Sequence, residues 1–127
     1  MAKTVRVTVD NKIEVLEIPW SLDAKGKAIG ADCTETVKTQ IMYDLFRDRI
    51  VMIVDESGAV KDREINPVAS FLYGIQNHGV PICGDVLFAR QDGPEINPLE
   101  DAELVKFFLK DKFPILQEVQ KLSLIHI

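Results

Sequence analysis

The apolar run Ile50-Val51-Met52-Ile53-Val54 ends in Asp55-Glu56-Ser57-Gly58, and this junction constrains the chain more than any other segment. Apolar side chains that do not alternate with polar ones imply a strand covered on both faces, since a strand with one wet face alternates. The acidic, glycine-closed segment that follows has the composition of a turn. Any fold for this chain must therefore place other elements on both sides of residues 50–54.

The flanking segments supply such elements. Thr4-Val5-Arg6-Val7-Thr8 alternates, Ile13 to Ile18 alternates less cleanly, and Asp10-Asn11-Lys12 lies between them. Asn and Asp accept the positive φ of a tight turn, so the pattern predicts a β-hairpin. Pro19 ends the second strand because it has no N–H for the ladder. Ser21 stands where it would cap a helix over Leu22–Ile29, Gly30 would close that helix, and Cys33–Thr39 has the Thr and Val of a third strand. Ile41, Leu45 and Phe46 have helical spacing in a short piece, expected to be a loop or a single helical turn carrying Tyr43 and Phe46 into the core.

Asn66-Pro67 is a helix start, with Asn capping free N–H groups and Pro at the first helical position; the helix covers Val68–Tyr73 and stops at Gly74. Gly84 precedes a strand over Val86–Arg90, and Asp92-Gly93-Pro94 is expected to be a loop. From about Leu99 the spacing is helical, with Leu104, Val105, Phe108 and Leu109 on one side, until Pro114 kinks or splits the helix. The expected architecture is α+β: a single domain over residues 1–121 with a mixed, mostly antiparallel sheet of about five strands, short helices on one face and a C-terminal helix alongside. The apolar tail, residues 122–127, stands apart. It has the character of a translated sequencing adaptor as much as of a segment docking on the body or on a second subunit.

Composition narrows the classes of function. With 127 residues, 46% apolar and 28% charged, the chain fits one soluble domain. No apolar run nears the ~20 residues of a membrane span. The N-terminus leads into strand pattern instead of a signal peptide, so a cytoplasmic protein with no membrane partner is expected. A net charge of −5, with acids interspersed among Lys and Arg, argues against a nonspecific grip on nucleic acid. Cys33 and Cys83 have no CxxC partner and are expected to be reduced thiols; their spacing does not say whether they meet.

Catalytic chemistry is sparse. The histidines are His78 and His126, with no HExxH, paired cysteines or EF-hand loop, so neither a metal nor a cofactor is expected. Asp55 and Glu56 could hold a hard cation, but acidic turn residues ordinarily cap backbone N–H groups. Cys83 with His78 and Asp85 is the one local collection of the types that nucleophilic catalysis needs, and no orienting motif accompanies it. Trp20 could stack on a planar ligand or staple the first helix to the core. The candidate ligand-binding residues are Asn66, Tyr73, Asn77 and His78 in loops, with Lys25 and Lys27 by the first helix. A small anion would favour an uncapped helix N-terminus, a use that competes with Asn66 as a cap.

The ordered set Val51–Gly58 (a DExG turn), Asn66-Pro67-Val68-Ala69-Ser70 (NPxAS) and Gly84-Asp85-Val86-Leu87-Phe88 (GDVLF) resembles the family of domains of unknown function DUF3846. That family is found in phages, plasmids and the Gram-positive hosts that carry them. Its members are similar in beginning with a hairpin, a small helix and a strand that ends in a DEEG turn. Ser57 replaces the second glutamate of that turn here, and Gly30-Ala31 stands where many members carry Gly-Gly. The resemblance spans roughly Val5 to Arg90 and implies a phage or mobile-element accessory protein. Such a protein is expected to be non-enzymatic, binding a host protein or sequestering a small nucleotide-like ligand. The resemblance supplies no active site. The alternative is a small enzyme using the acidic turn or the His78/Cys83 region, and a homo-oligomer is compatible with either.

Overall fold

The computed structural model describes residues 1–58, 61–74 and 79–113. Asn77, His78, the kink expected at Pro114 and the tail at 122–127 lie outside the described residues. Six strands form one sheet: β1 Ala2–Val7, β2 Ile13–Ile18, β3 Thr34–Val37, β4 Ile50–Asp55, β5 Val86–Asp92 and β6 Glu95–Asn97. Four helices are described: α1 Leu22–Ile29, α2 Gln40–Phe46, α3 Pro67–Tyr73 and α4 Ala102–Lys112. The fold is α+β.

The strand order is β2-β1-β5-β4-β3, and every pairing is antiparallel. β6 is the strand beyond the expected five. Gly93-Pro94, expected in a loop, forms a two-residue turn, and Arg90 pairs with Ile50 on one side and Asn97 on the other. β5 is thus the middle strand, and β4 lies between it and the β3 edge.

The β1–β2 hairpin sets Val7 opposite Ile13 and Val5 opposite Val15, and Asn11 takes φ 66° in its turn. Ser21 caps α1, its side chain accepting from the Ala24 N–H at 3.1 Å, and Gly30 closes the helix in the left-handed region. Thr39 caps α2 in the same way, and the segment is a seven-residue helix instead of a loop or one turn.

All of β4 is buried, as a non-alternating apolar run requires. Its side chains divide between two cores. Ile50, Met52 and Val54 join Val86 and Phe88 of β5 beneath α2, α3 and α4, while Val51, Ile53, Leu87 and Ala89 meet Ile29 of α1 and Trp20. Helices therefore cover both faces of the sheet, not one. Two expected core residues face outward: Phe46 is buried against Phe88, ring centroids 5.9 Å apart, but Tyr43 is 53% exposed. On α4, Val105 and Leu109 are buried, whereas Leu104 is 46% exposed. The helix begins at its Asp101 cap and not at Leu99, and the face that meets the sheet is Ala102, Val105 and Leu109.

The side chain of Asn66 is fully buried and makes three hydrogen bonds. Its Oδ1 accepts from the Ala69 N–H at 3.1 Å, and its Nδ2 donates to the carbonyls of Val7 and Gly84, both at 3.0 Å. One amide thus starts α3 and ties it to β1 and to the chain leading into β5. Asn66→Ala would remove the cap and leave two buried carbonyls without donors, so a loss of about 3 kcal/mol in urea unfolding is expected. Asn66→Asp retains the cap acceptor but sets a buried carboxylate oxygen against the Val7 and Gly84 carbonyls, so it should lose at least as much as the alanine variant at neutral pH.

Candidate functional site

Two regions hold the polar side chains of interest, one at each end of β4. At the C-terminal end, Asp55 is buried, with its side chain fully withdrawn from water. Its Oδ1 accepts from the Ser57 N–H at 3.0 Å, and its Oδ2 lies 3.3 Å from Arg63 Nε and 3.5 Å from Lys61 Nζ. Arg63 also donates to the carbonyls of Ile29, at 2.9 Å, and Gly30, satisfying the C-terminal end of α1. Lys61 reaches Asp32 at 3.2 Å, and this hydrogen bond is the main reason its pKa lies above the ordinary lysine value.

Glycine is required in two places around this cluster. A Cβ on Gly58 would stand 2.6 Å from the Cys83 carbonyl oxygen, and one on Gly84 (φ +91°) would stand 3.1 Å from Arg63 Nη1. The Asp85 carboxylate accepts from the Val9 N–H at 3.1 Å, and Ser70 Oγ accepts from the Ile82 N–H at 2.9 Å. The residues that carry the family resemblance thus stitch loops to strands. Beside them lies a cavity of about 130 Å³ touched by Glu56, Tyr73 and Cys83, too small for a metabolite.

The N-terminal end of β4 is different. A cleft of about 500 Å³ opens between the end of β3, α2, the start of β4 and the β5–β6 turn. Lys38, Gln40, Tyr43, Arg49 and Gln91 line it. The side chains of Lys38 and Arg49 are exposed and make no ion pair or hydrogen bond among the described residues. Asp48 also lines the cleft, but its carboxylate accepts from Arg90 Nε at 3.2 Å and from the Arg49 N–H at 2.7 Å. Nearby, the Asp92 carboxyl is held below its usual range, first by the hydrogen bond from Asn97 and then by Arg90, with Arg49 a further cation in range. The volume lies within the range of small-molecule sites.

Of the residues singled out from sequence, the described ones, Lys25, Lys27, Asn66 and Tyr73, do not line this cleft. Lys25 packs 4.8 Å over the Trp20 ring, where burial pushes its pKa down, and Lys27 pairs with Asp23 at 3.2 Å on the surface of α1. Trp20 Nε1 donates to the Ile96 carbonyl at 3.0 Å, so the indole staples the α1 start to β6. Asn66 is consumed by the fold, and Tyr73 borders the small cavity. Cys33 and Cys83 are free thiols. Among the described residues no group of three or more His, Cys, Asp or Glu is placed to hold a metal ion. No helix among them is long and apolar enough to cross a membrane.

The cleft residues Lys38, Tyr43, Arg49 and Gln91 come from four segments, and no linear motif joins them. The one available signal is Arg47-Asp48-Arg49 shortly after Tyr43, two bases and one acid in the short connection from α2 to β4.

Fold and site together define an α+β domain built on an antiparallel sheet with an open polar cleft at one end. Its lineage follows from the comparison of families: residues 2–112 match the domain of unknown function DUF3846, and the chain belongs to that family. No curated protein and no solved structure matches it.

The geometry separates a structural from a functional role for the acidic turn. Asp55→Asn should cost about 2 kcal/mol in urea unfolding, because Arg63 and Lys61 lose their buried counter-charge while retaining access to water. Glu56→Gln, at an exposed position, should stay within about 0.5 kcal/mol.

Proposed function

We propose that this protein acts by binding and not by catalysis, as an accessory protein of mobile-element type, and that its cleft sequesters a small nucleotide-like anion. The observation that carries this is Tyr43, 53% exposed in the wall of a cleft that it shares with the cations Lys38 and Arg49, neither of which makes an ion pair among the described residues. An aromatic ring left half in water offers a stacking face to a planar heterocycle. A guanidinium and an ammonium suit the terminal oxygens of a phosphate, and Arg can grip two of them at once. Gln40 and Gln91 add amide donors and acceptors for the edge of a base.

Several features support binding over turnover. The carboxylate in the cleft, Asp48, is already engaged by Arg90. The Thr39 hydroxyl donates to the Leu72 carbonyl at 2.6 Å and accepts from the Met42 N–H, so it is held by the fold. Neither is poised as a base beside a nucleophile. The resemblance to proteins of phages and plasmids supplies the context in which capture of a host metabolite would be useful.

Isothermal titration with purine and pyrimidine mononucleotides, monophosphate and diphosphate, tests this, alongside native mass spectrometry of protein purified from bacteria. At least one mononucleotide should bind with a Kd below about 100 μM, and Lys38→Glu with Arg49→Glu should weaken it at least about tenfold. Tyr43→Ala should weaken it to a similar degree without changing the unfolding midpoint. No binding up to about 1 mM, together with a clean protein mass, would sink the nucleotide assignment. Binding would then have to be sought among host proteins by pull-down.

A further inference from the structure

A second surface, on the opposite side of α2 from Tyr43, carries an inference independent of the cleft. A groove of about 570 Å³ runs between α2, α3 and α4, floored by Leu45, Phe71 and Phe108. Phe71 is 47% exposed, although its ring packs edge-on to Phe113 at 5.5 Å. The apolar surface continues along α4. Ala102, Val105 and Leu109 face the core, yet Leu104 and Phe107, 46% and 61% exposed, point away from it, with the Phe107 ring 6.1 Å from that of Phe108. A surface helix ordinarily has one apolar stripe, and α4 has two.

The charges at the rim indicate what covers it. Asp44, Arg47, Asp111 and Lys112 border the groove, two acids and two bases in a chain of net charge −5. A two-fold axis lays a patch against itself, so a rim of one sign would be self-repelling and a rim of both signs can be self-complementary. Neither Arg47 nor Asp111 has an ion pair among the described residues. Arg47 moreover closes α2 at φ 57°, ψ 31°, a left-handed position where glycine is the least strained residue. The backbone gives no reason for arginine there.

We infer that the α2–α3–α4 groove is a homodimer interface, in which a second copy of this chain docks about a two-fold axis. Phe71, Phe107 and Leu104 pack across the axis, and the Arg47 and Lys112 of one copy face the Asp44 and Asp111 of the other.

The test is native mass spectrometry and light scattering on the 127-residue chain at about 100 μM, with two exposed-charge variants. The unaltered chain should be dimeric. Arg47→Glu/Lys112→Glu makes the rim wholly acidic, Asp44→Lys/Asp111→Lys makes it wholly basic, and each variant alone should be monomeric with an unchanged circular dichroism spectrum. Mixed in equal amounts, the two should form a heterodimer recognisable by its mass, a result that misfolding cannot imitate. Phe107→Ser should raise the dimer Kd at least about tenfold. A monomeric unaltered chain would overturn the proposal, whether another segment of the chain or solvent covers the groove. So would a dimer that survives both charge reversals, or variants that fail to pair on mixing. None of these outcomes depends on nucleotide binding.

Discussion

A carboxylate fully withdrawn from water must be matched by charge and hydrogen bonds, and the way Asp55 is matched determines much of the surrounding chain. Its position is forced. β4 is buried along its whole length, so the strand's last residue is still inside when the chain turns. Arg63 and Lys61 return to that point from beyond the turn, and Arg63 uses its remaining donors on the carbonyls that end α1. The helix over one face of the sheet is thereby tied to the strand it covers. Gly58 and Gly84 lack side chains where the Cys83 carbonyl and the Arg63 guanidinium need the space. One buried charge thus explains why an acidic turn, two glycines and two basic residues occur together.

Much of this was legible in the sequence because it rests on local rules. Ser21, Gly30, Asn66, Pro67 and Gly74 mark helix ends through their own backbone and side-chain geometry, and α1 and α3 begin and end at the expected signals. The unbroken apolar run of β4 implied two covered faces. The expectation of helices on one face did not follow that implication through. Ile50, Met52 and Val54 need one cover and Val51 and Ile53 another, and α1 supplies the second. The β6 hairpin escaped notice because a strand of three residues gives too short a pattern to register.

The misplaced residues share a cause. Tyr43 is expected in the core on a loop or single turn, and Leu104 shares a side with Val105, Phe108 and Leu109 by helical spacing, but spacing fixes a face and not the partner of that face. On a helix as short as α2, Phe46 and Met42 suffice to anchor it, and Tyr43 is released to solvent. The candidate site was obscure for a related reason. Loop residues chosen for their chemistry, such as Asn66, prove to be the fold's own hydrogen-bonding groups. The cleft instead gathers side chains from Lys38 to Gln91, contacts that exist only once the sheet has brought the ends of β3, β4 and β5 together.

α2 is the element on which both surfaces depend. Its first turn and Tyr43 border the cleft, while Ile41, Asp44 and Leu45 border the groove. Seven residues cannot hold a helix in place by propensity, since isolated helices of that length are unstable in water. Thr39 does much of the holding: its hydroxyl caps the Met42 N–H and bonds to the Leu72 carbonyl, tying the start of α2 to α3. The Phe46 ring, edge-on to Phe88 below and to Phe108 at 6.3 Å, fixes the other end against β5 and α4. A short helix pinned at both ends is rigid enough to present different side chains to its two sides. The orientation of Tyr43 in the cleft and of Leu45 in the groove therefore rests on the same two anchors.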